Sequence, residues 1–495
     1  MASHPRTFAG LGLTEGSRVV GANGSEPVLS GLSVDSRDTK PGHLFAALSG
    51  STMHGAEFVG FALRMGAVAV LTDEIGLGII APCPVPVIVA GNPRLVLSRA
   101  AARWFDAQPE VMVAVTGTNG KTSVATFTRQ IWEALGLVAV NFGTTGVDGA
   151  VSAPLTHTTP EPIILHALLA KLAGEGVTHA AMEASSHGLS QHRLDGVVLK
   201  AAGFTNITRD HMDYHADFSD YFAAKMGLFD RLLPAGATAV VNLDDPFGAK
   251  VQAVAVGRGQ KILSVGHGPD CALRILGNRF DATGQVLLFE HAMQRHEVRL
   301  DLIGGFQAHN AMVAAGLAIA SGSDAGAVFR VLPGLKTVRG RMELAARRKN
   351  GAAVYVDYAH TPDAIETTLN ALRPHVSGRL VIVFGAGGDR DKGKRPLMGI
   401  AAKAGADVVF VTDDNPRTED AAAIRAEIMA ACPQATEIAD RAEAILAGVD
   451  ALQPGDTLLI AGKGHETGQI VGANVYPFND AEQASISVQA LEGLS

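Results

Sequence analysis

At 495 residues the chain is too long for one ordinary core, so about three domains are expected. Hydrophobic residues make up 47% and charged residues 18%, which excludes a disordered chain and fits a globular one. The net charge of -8 argues against general nucleic-acid binding, which shows a basic patch or excess, and leaves room for a local basic groove facing a small anion.

The opening MASHPRTFAG holds no apolar core of signal-peptide length, and no apolar run reaches the roughly 18 residues of a membrane span. A cytoplasmic protein is expected. Cys83, Cys271 and Cys432 are widely separated and form no CxxC pair. They read as ordinary buried thiols of a reducing compartment, not as a disulfide frame or a zinc site.

Short β-like apolar runs alternate with Ala/Leu-rich helical stretches, the pattern of parallel α/β layers. The first segment, to Asn92, contains SVDSRDTKPGHLFAALSG, then a helix-like FVGFALRMGA leading into VAVL. LVLSRAAARWFDAQ predicts a helix entering a second domain, VMVAVTG a buried strand, and a helix follows Lys121. THAAME, AAGFTNI and ATAVVNL are further strands of one open sheet. From about Val338 the pattern restarts with AAVYVDYAH, RLVIVFGAGGDRDKGKR, DVVFVTDDNPR and DTLLIAGKGHE, each an apolar strand followed by a polar turn. In open α/β sheets ligands gather at the carboxyl ends of strands, so these turns are expected to converge on one cleft. The expected domains are 1–92, 93–337 and 338–495.

VTGTNGKTS follows a strand and opens a helix, the context a phosphate loop requires. Backbone N–H groups from Gly117 through Thr118, Asn119 and Gly120 to Lys121 would wrap phosphates, with the helix N-terminus adding partial positive charge. Lys121 would reach the terminal phosphates and Thr122 would offer its hydroxyl to Mg²⁺. Val115 stands where the longer GxxxxGK[ST] form has its first glycine. The bland alternative is a glycine-rich turn with an incidental lysine; Gly117, Gly120, Lys121 and Thr122 together favour ATP. Such loops do not separate kinases from ligases or motors.

Glu183 ends a strand and could hold Mg²⁺ through a hard oxygen. By composition alone Asp210, His211, Asp213 and His215 could form a zinc or two-metal site. No cysteine joins them and the spacing matches no standard motif, so Asp213 and His215 read as cap and loop residues. Lys225, among apolar neighbours in YFAAKMGLF, reads as a lysine reaching out to solvent. In TDDNPRTED, Arg417 stands among Asp413, Asp414, Glu419 and Asp420, and by itself reads as a surface ion pair.

GTNGKTS, MEASSHGL, TRDHMDYH, the AK of YFAAKMGLF, GRME, DYAHTPD and GKGHE occur in family order, and from about Ser33 onward the chain resembles the Mur ligase family. These are the ATP-dependent amide-forming enzymes of peptidoglycan precursor synthesis. The resemblance implies an N-terminal uridine-nucleotide-binding α/β domain, a central ATP-binding domain with a P-loop ATPase-like parallel sheet, and a Rossmann-like C-terminal domain that binds an amino acid. It implies ATP and Mg²⁺, with Thr122, Glu183 and Lys225 at the metal. Lys225 would carry carbon dioxide as a carbamate, which turns a cation into an oxygen ligand and overturns the solvent-reaching reading.

Lys121, Lys225, Glu183 and His211 form the implied catalytic set. Ser123, Asn310, Arg341 and Asp357 join the phosphate loop around the nucleotide. Val34, Ser36, Ser51, Thr52 and Met53 match positions at the uridine diphosphate end. Thr158, Thr159, Ser185, Gln191 and Arg193 match the remainder of a UDP-MurNAc-L-Ala-D-Glu substrate. Arg390, Asp414, Asn415, Pro416, Arg417, Gly462 and Glu466 match the acceptor site. DNPR points to meso-diaminopimelate, because a guanidinium rewards the carboxylate that lysine lacks.

There are departures. GGFQAHN keeps only Asn310 of an asparagine pair, His157 replaces a common asparagine, and Gly468 stands where an aromatic is frequent. The rivals are sibling ligases that add lysine, D-Ala-D-Ala or glutamyl groups to folate, and a non-catalytic nucleotide-binding protein on the same fold. A monomer without nucleic-acid partners is expected.

Overall fold

The computed structural model describes residues 6–21, 26–50, 52–155, 157–210, 212, 214–281 and 283–493. Strands and helices alternate along the chain, and the strands fall into three main sheets and one small hairpin. This agrees with the expected α/β class.

The first sheet joins Ser17–Val20, Gly31–Ser33, His43–Ala46, Ala69–Thr72 and Val87–Ala90; all pairings are parallel except that of Ser17–Val20 with Val87–Ala90. Helix Pro93–Phe105 leads out of it. Asn92 caps this helix by accepting from Leu95 N, and Pro93 takes the first position, where its missing N–H costs nothing. Leu97, Ala100 and Ala101 of this helix pack on Leu44, Leu71 and Ile88.

The second sheet has ten strands. Val111–Thr116 lies between His179–Glu183 and Ala201–Phe204, with Thr238–Asn242 and Lys261–Gly266 continuing in parallel. Helices Lys121–Ala134 and Phe306–Ala320 cover one face; Pro162–Gly174 and Phe218–Gly227 cover the other. Leu273–Asp281, Gly284–His291 and Gln294–Leu300 extend the sheet as an antiparallel meander that the sequence did not announce. Segments such as QRHEVRL are half exposed, so they lack the buried β-branched run of the parallel strands.

The third sheet runs Glu343–Arg347, Ala353–Asp357, Thr457–Ala461, Leu380–Phe384, Val408–Val411, Thr436–Glu437. Thr457–Ala461, last in sequence, inserts between Ala353–Asp357 and Leu380–Phe384, parallel to both. The carboxyl ends at Asp357, Ala461, Phe384 and Val411 therefore stand side by side, and their polar turns meet there. The hairpin Gly468–Val471 with Asn474–Pro477 folds beside them.

The three cysteines are free, but only Cys432 is buried; Cys83 and Cys271 are half-buried. This corrects the expectation of three buried thiols: the last two sit in connections after helix Glu74–Ile80 and strand Lys261–Gly266. No described helix is long and apolar enough to cross a membrane.

Candidate active site

A cleft of about 840 Å³ opens between the second and third sheets. Strand Val111–Thr116 delivers the phosphate loop to it. Gly117 and Gly120 have φ of 154° and 86°, and a Cβ on them would lie 1.9 Å from Thr205 Oγ1 and 2.5 Å from Asn310 Oδ1. Only glycine fits both the backbone and the space. Asn206 holds the loop, its Oδ1 accepting from Asn119 N at 2.9 Å and its Nδ2 donating to Asn119 O at 3.1 Å. Lys121 Nζ folds back onto the carbonyls of Gly117 and Thr118, at 2.9 and 2.7 Å. Thr122 and Ser123, in the first turn of the following helix, also line the cleft.

Glu183 ends its strand at the cleft floor, 2% exposed. Its Oε1 accepts from the Thr122 hydroxyl at 3.0 Å and Thr144 N at 2.8 Å. A Cβ on Gly143 would stand 2.1 Å from that oxygen. Lys225 is 1% exposed and donates to the carbonyl of Gly117 at 2.6 Å, 4.6 Å above the Tyr221 ring. The solvent-reaching reading of this lysine is thereby corrected: helix Phe218–Gly227 turns it inward, under the phosphate loop. Burial pushes its amine well below the ordinary lysine value, and the neighbouring Lys121 pushes it further. Lys121 is itself lowered by burial, with Glu183 and Asp210 opposing.

Among the described residues no cation forms an ion pair with Glu183. A buried carboxylate without a direct ion pair is costly, so Glu183 and the Thr122 hydroxyl fit a hard divalent cation. Lys225 fits as a third donor only as an oxygen-bearing carbamate, since an ammonium would repel the ion.

The third sheet supplies the opposite wall. Asp357 accepts from Met342 N and Ala359 N, at 2.8 and 2.9 Å; burial raises its carboxyl while Arg341 opposes the rise. Arg341 lies 4.5 Å over the Tyr358 ring. Asp363, in the first turn of helix Pro362–Leu372, receives the Thr208 hydroxyl at 3.0 Å and Asn119 Nδ2 at 3.4 Å, tying this wall to the phosphate loop. Asn310 donates to Gln307 Oε1 at 3.0 Å, so the glutamine of GGFQAHN orients the surviving asparagine.

At the other end, the Thr158 and Thr144 hydroxyls are 3.1 Å apart, and the Thr159 hydroxyl donates to Glu183 O at 3.0 Å and accepts from Ser185 N at 3.1 Å. Arg193 donates to Thr159 O at 2.6 Å and to Gln191 Oε1 at 2.8 Å. Burial lowers Arg193, and Arg94 adds to the shift. Arg94 in turn donates to Ser49 O at 2.5 Å, linking the SGSTMHG segment to the helix that leads out of the first sheet. Ser36 is buried, Val34 half-buried, and Thr52 and Met53 exposed, all away from the cleft lining. Ser51, His211 and Asp213 lie outside the described residues. His215 is buried with Nδ1 3.0 Å from Asp220 Oδ2, a structural contact.

The residues expected at the acceptor site include Arg390, the one of them that lines the cleft itself; Asp414, Asn415, Arg417, Gly462 and Glu466 lie beside it. Asp414, Asn415 and Pro416 are buried. Asn415 donates to Glu466 Oε2 at 2.8 Å and accepts from Ile470 N at 2.8 Å, while Lys463 bonds Glu466 at 3.0 Å. Gly462 has φ 118°, and a Cβ there would reach within 2.6 Å of Asp414 Oδ2.

Arg417 has φ 52°, held by Arg417 N donating to Ile470 O at 3.0 Å and Gly472 N donating to Arg417 O at 2.7 Å. Its guanidinium donates to Gly388 O at 2.8 Å. The loop's acids are engaged elsewhere: Asp413 with Arg425, Glu419 with Arg395 at 2.9 Å and Lys392 at 3.0 Å, and Asp420 capping Ala422 N at 3.0 Å. Among the described residues no carboxylate pairs with Arg417, which corrects the surface ion-pair reading. Gly387 separates it from Arg390, within 4 Å of both side chains from an added Cβ.

Sequence reasoning passed over Arg94, Thr144, Asn206, Tyr221 and Lys463. Tyr358, His360 and Asp363 stood inside the quoted DYAHTPD without a role. Arg441 was also missed. Fully buried, it pairs with Asp480 at 2.7 Å and donates to the carbonyls of Ala461 and Asp413, so it joins the carboxyl ends of strands Thr457–Ala461 and Val408–Val411.

A phosphate loop facing a second α/β sheet across a polar cleft defines a nucleotide-handling protein of several domains. The Mur ligase family, catalytic domain, matches residues 28–105, the Mur ligase middle domain residues 115–318, and the Mur ligase, glutamate ligase domain, residues 340–464. The chain belongs to the Mur ligase family. It is 52% identical over 466 residues, 94% of each chain, to the UDP-N-acetylmuramoyl-L-alanyl-D-glutamate--2,6-diaminopimelate ligase of Agrobacterium fabrum. To the ligase of that name from Bradyrhizobium diazoefficiens it is 51% identical over 467 residues, 93% of this chain and 95% of the relative. A solved structure of a UDP-N-acetylmuramoyl-L-alanyl-D-glutamate--2,6-diaminopimelate ligase superposes with a TM-score of 0.71 at 32% identity, covering 99% of both chains.

Proposed function

We propose that this chain is a cytoplasmic ATP-dependent ligase, monomeric, that joins meso-diaminopimelate to UDP-MurNAc-L-Ala-D-Glu. Its relatives of about half identity, aligned over nearly their whole length, carry the name of that reaction. The observation that carries the acceptor assignment is Arg417: a part-buried guanidinium that donates to a backbone carbonyl, while Asp413 and Glu419 of its own loop pair with other cations.

In the proposed reaction the D-glutamyl γ-carboxylate attacks the γ-phosphorus of ATP, and ADP leaves. The diaminopimelate amine then attacks the acyl-phosphate carbonyl; phosphate departs and the amine loses its proton. Lys121 and the loop N–H groups stabilise charge on the transferring phosphoryl group. Thr122, Glu183 and carbamylated Lys225 would hold Mg²⁺, which supplies charge neutralisation at the phosphates. The depressed Lys225 amine supports carbamylation, because the neutral nitrogen attacks carbon dioxide and loses one proton as the N–C bond forms. Arg193 offers a guanidinium to the anionic dipeptide, and Ser185 and Thr159 fix its approach. Asn310, Arg341 and Asp357 would flank the nucleotide. Asp363, bridging the cleft walls, supports closure that keeps water from the acyl phosphate.

The test is phosphate release from ATP with UDP-MurNAc-L-Ala-D-Glu and each of meso-diaminopimelate, L-lysine and D-Ala-D-Ala. Release with diaminopimelate alone is expected. Equal rates with lysine would refute the acceptor, and no release with any would refute ligase activity in favour of a nucleotide-binding protein.

A further inference from the structure

Three side chains from separate elements meet at the surface of the second sheet. Asp244 lies in the turn after Thr238–Asn242, His267 directly after Lys261–Gly266, and His309 in the first turn of Phe306–Ala320. Asp244 Oδ2 is 2.7 Å from His267 Nδ1 and 2.7 Å from His309 Nε2, and one potential ligand atom from each residue falls within 4.8 Å of the others.

We propose that Asp244, His267 and His309 bind one transition-metal ion of the zinc class, separately from Mg²⁺ at Glu183. Two imidazoles and a carboxylate are the donor set of three-ligand zinc sites, with water taking the fourth position. Magnesium and calcium prefer all-oxygen shells and are disfavoured by two nitrogens. Bond lengths of about 2.0–2.2 Å set tetrahedral donors about 3.3 Å apart, so Asp244 need retreat by less than ~1 Å while the two imidazole nitrogens, within 4.8 Å of each other, close on the ion. The carboxylate is fixed from behind: His267 N donates to both its oxygens, at 2.9 and 3.1 Å. Gly266, with φ 153°, leaves it room, since a Cβ there would be 2.7 Å from Oδ1. The two imidazoles now share one oxygen, and an ion would give each its own bond. Side-chain exposures of 56% for His267 and 25% for His309 leave an entry path.

The ion's effect follows from position. Asn310 is the next residue of the helix and packs against Gly120 of the phosphate loop. Metal at His309 anchors the helix start that presents Asn310 to the nucleotide cleft.

The experiment titrates Zn²⁺ alone into the full chain against a chromogenic chelator, with Mg²⁺ present throughout. One saturable equivalent is expected, weakened at least tenfold in His267→Gln and in His309→Gln. Zn²⁺ should raise the thermal midpoint of the parent above its own metal-free value and leave each variant's midpoint at its own metal-free value. Asp244→Asn serves as a further variant should either histidine change unfold the chain. Co²⁺ should give the intense visible bands of a four-coordinate site, lost in the double histidine variant. No saturable equivalent, or undiminished affinity in the variants, overturns the assignment.

Discussion

A lysine 1% exposed, with a second lysine lowering it further, costs folding free energy, because the unfolded chain holds that proton more tightly. The sign follows from a folded value below the ordinary one. The cost is absent above the ordinary lysine range and grows by about 1.4 kcal/mol per pH unit as pH falls below it, until the folded amine protonates. Lys225→Met should therefore raise the melting temperature in CO₂-free buffer, by ~2–4 °C per kcal/mol relieved, more at pH 7.5 than at pH 10. The same variant should lose turnover, while Lys225→Ala should regain part of it with added short carboxylic acids; full activity without them would refute the carbamate. Arg417 belongs to the same scale. Arg417→Ala should cut the rate preference for diaminopimelate over lysine by about 5–150-fold, equivalent to ~1–3 kcal/mol, with ATP binding intact. Competition kinetics with the two amino acids measure it.

Between elements, small residues and buried pairs decide whether the site forms. Gly143→Ala would drive a methyl into Glu183, and the Mg²⁺ half-saturation of turnover should rise roughly 10–100-fold, with an overpacking cost of ~1–3 kcal/mol in stability. Arg441→Met strands the buried Asp480 and should cost ~3–5 kcal/mol by denaturant titration; adding Asp480→Leu should recover most of it. Legibility in the sequence follows the same division. The strands of the third sheet were readable because runs such as LVIVF are buried on both faces, and the phosphate loop because its chemistry lies within seven consecutive residues. The meander was not, its strands being half solvated. Arg441 and Asp480 stand 39 positions apart, with nothing local to signal their pairing. Lys225 had no local signal either, since its carbonyl partner lies 108 positions away; only the family resemblance singled it out. Arg417 was misread locally because its acids have partners, Arg395 and Arg425, that proximity in sequence does not reveal.

Across the whole molecule, each main sheet is covered by its own hydrophobic cores, and the cleft walls touch through polar groups such as Asp363 and Thr208. Unfolding should accordingly be multi-step. A non-hydrolysable ATP analogue with Mg²⁺ at 100 times its dissociation constant should stabilise the nucleotide-bearing part by ~2.7 kcal/mol, shifting the transition of the second sheet and leaving that of the first in place. Scanning calorimetry with and without the analogue reads both.

The cysteines give that behaviour a direct readout. Cys83 lies in a connection beside the first sheet, Cys271 in one beside the second and Cys432 in one beside the third, one unpaired sulfur apiece. Pulsed alkylation followed by peptide mass spectrometry can time the opening of the third region at buried Cys432, with half-buried Cys83 and Cys271 as faster-reacting references in the same wild-type sample. The chain thus carries one buried chemical clock and two internal standards, and none needs to be engineered.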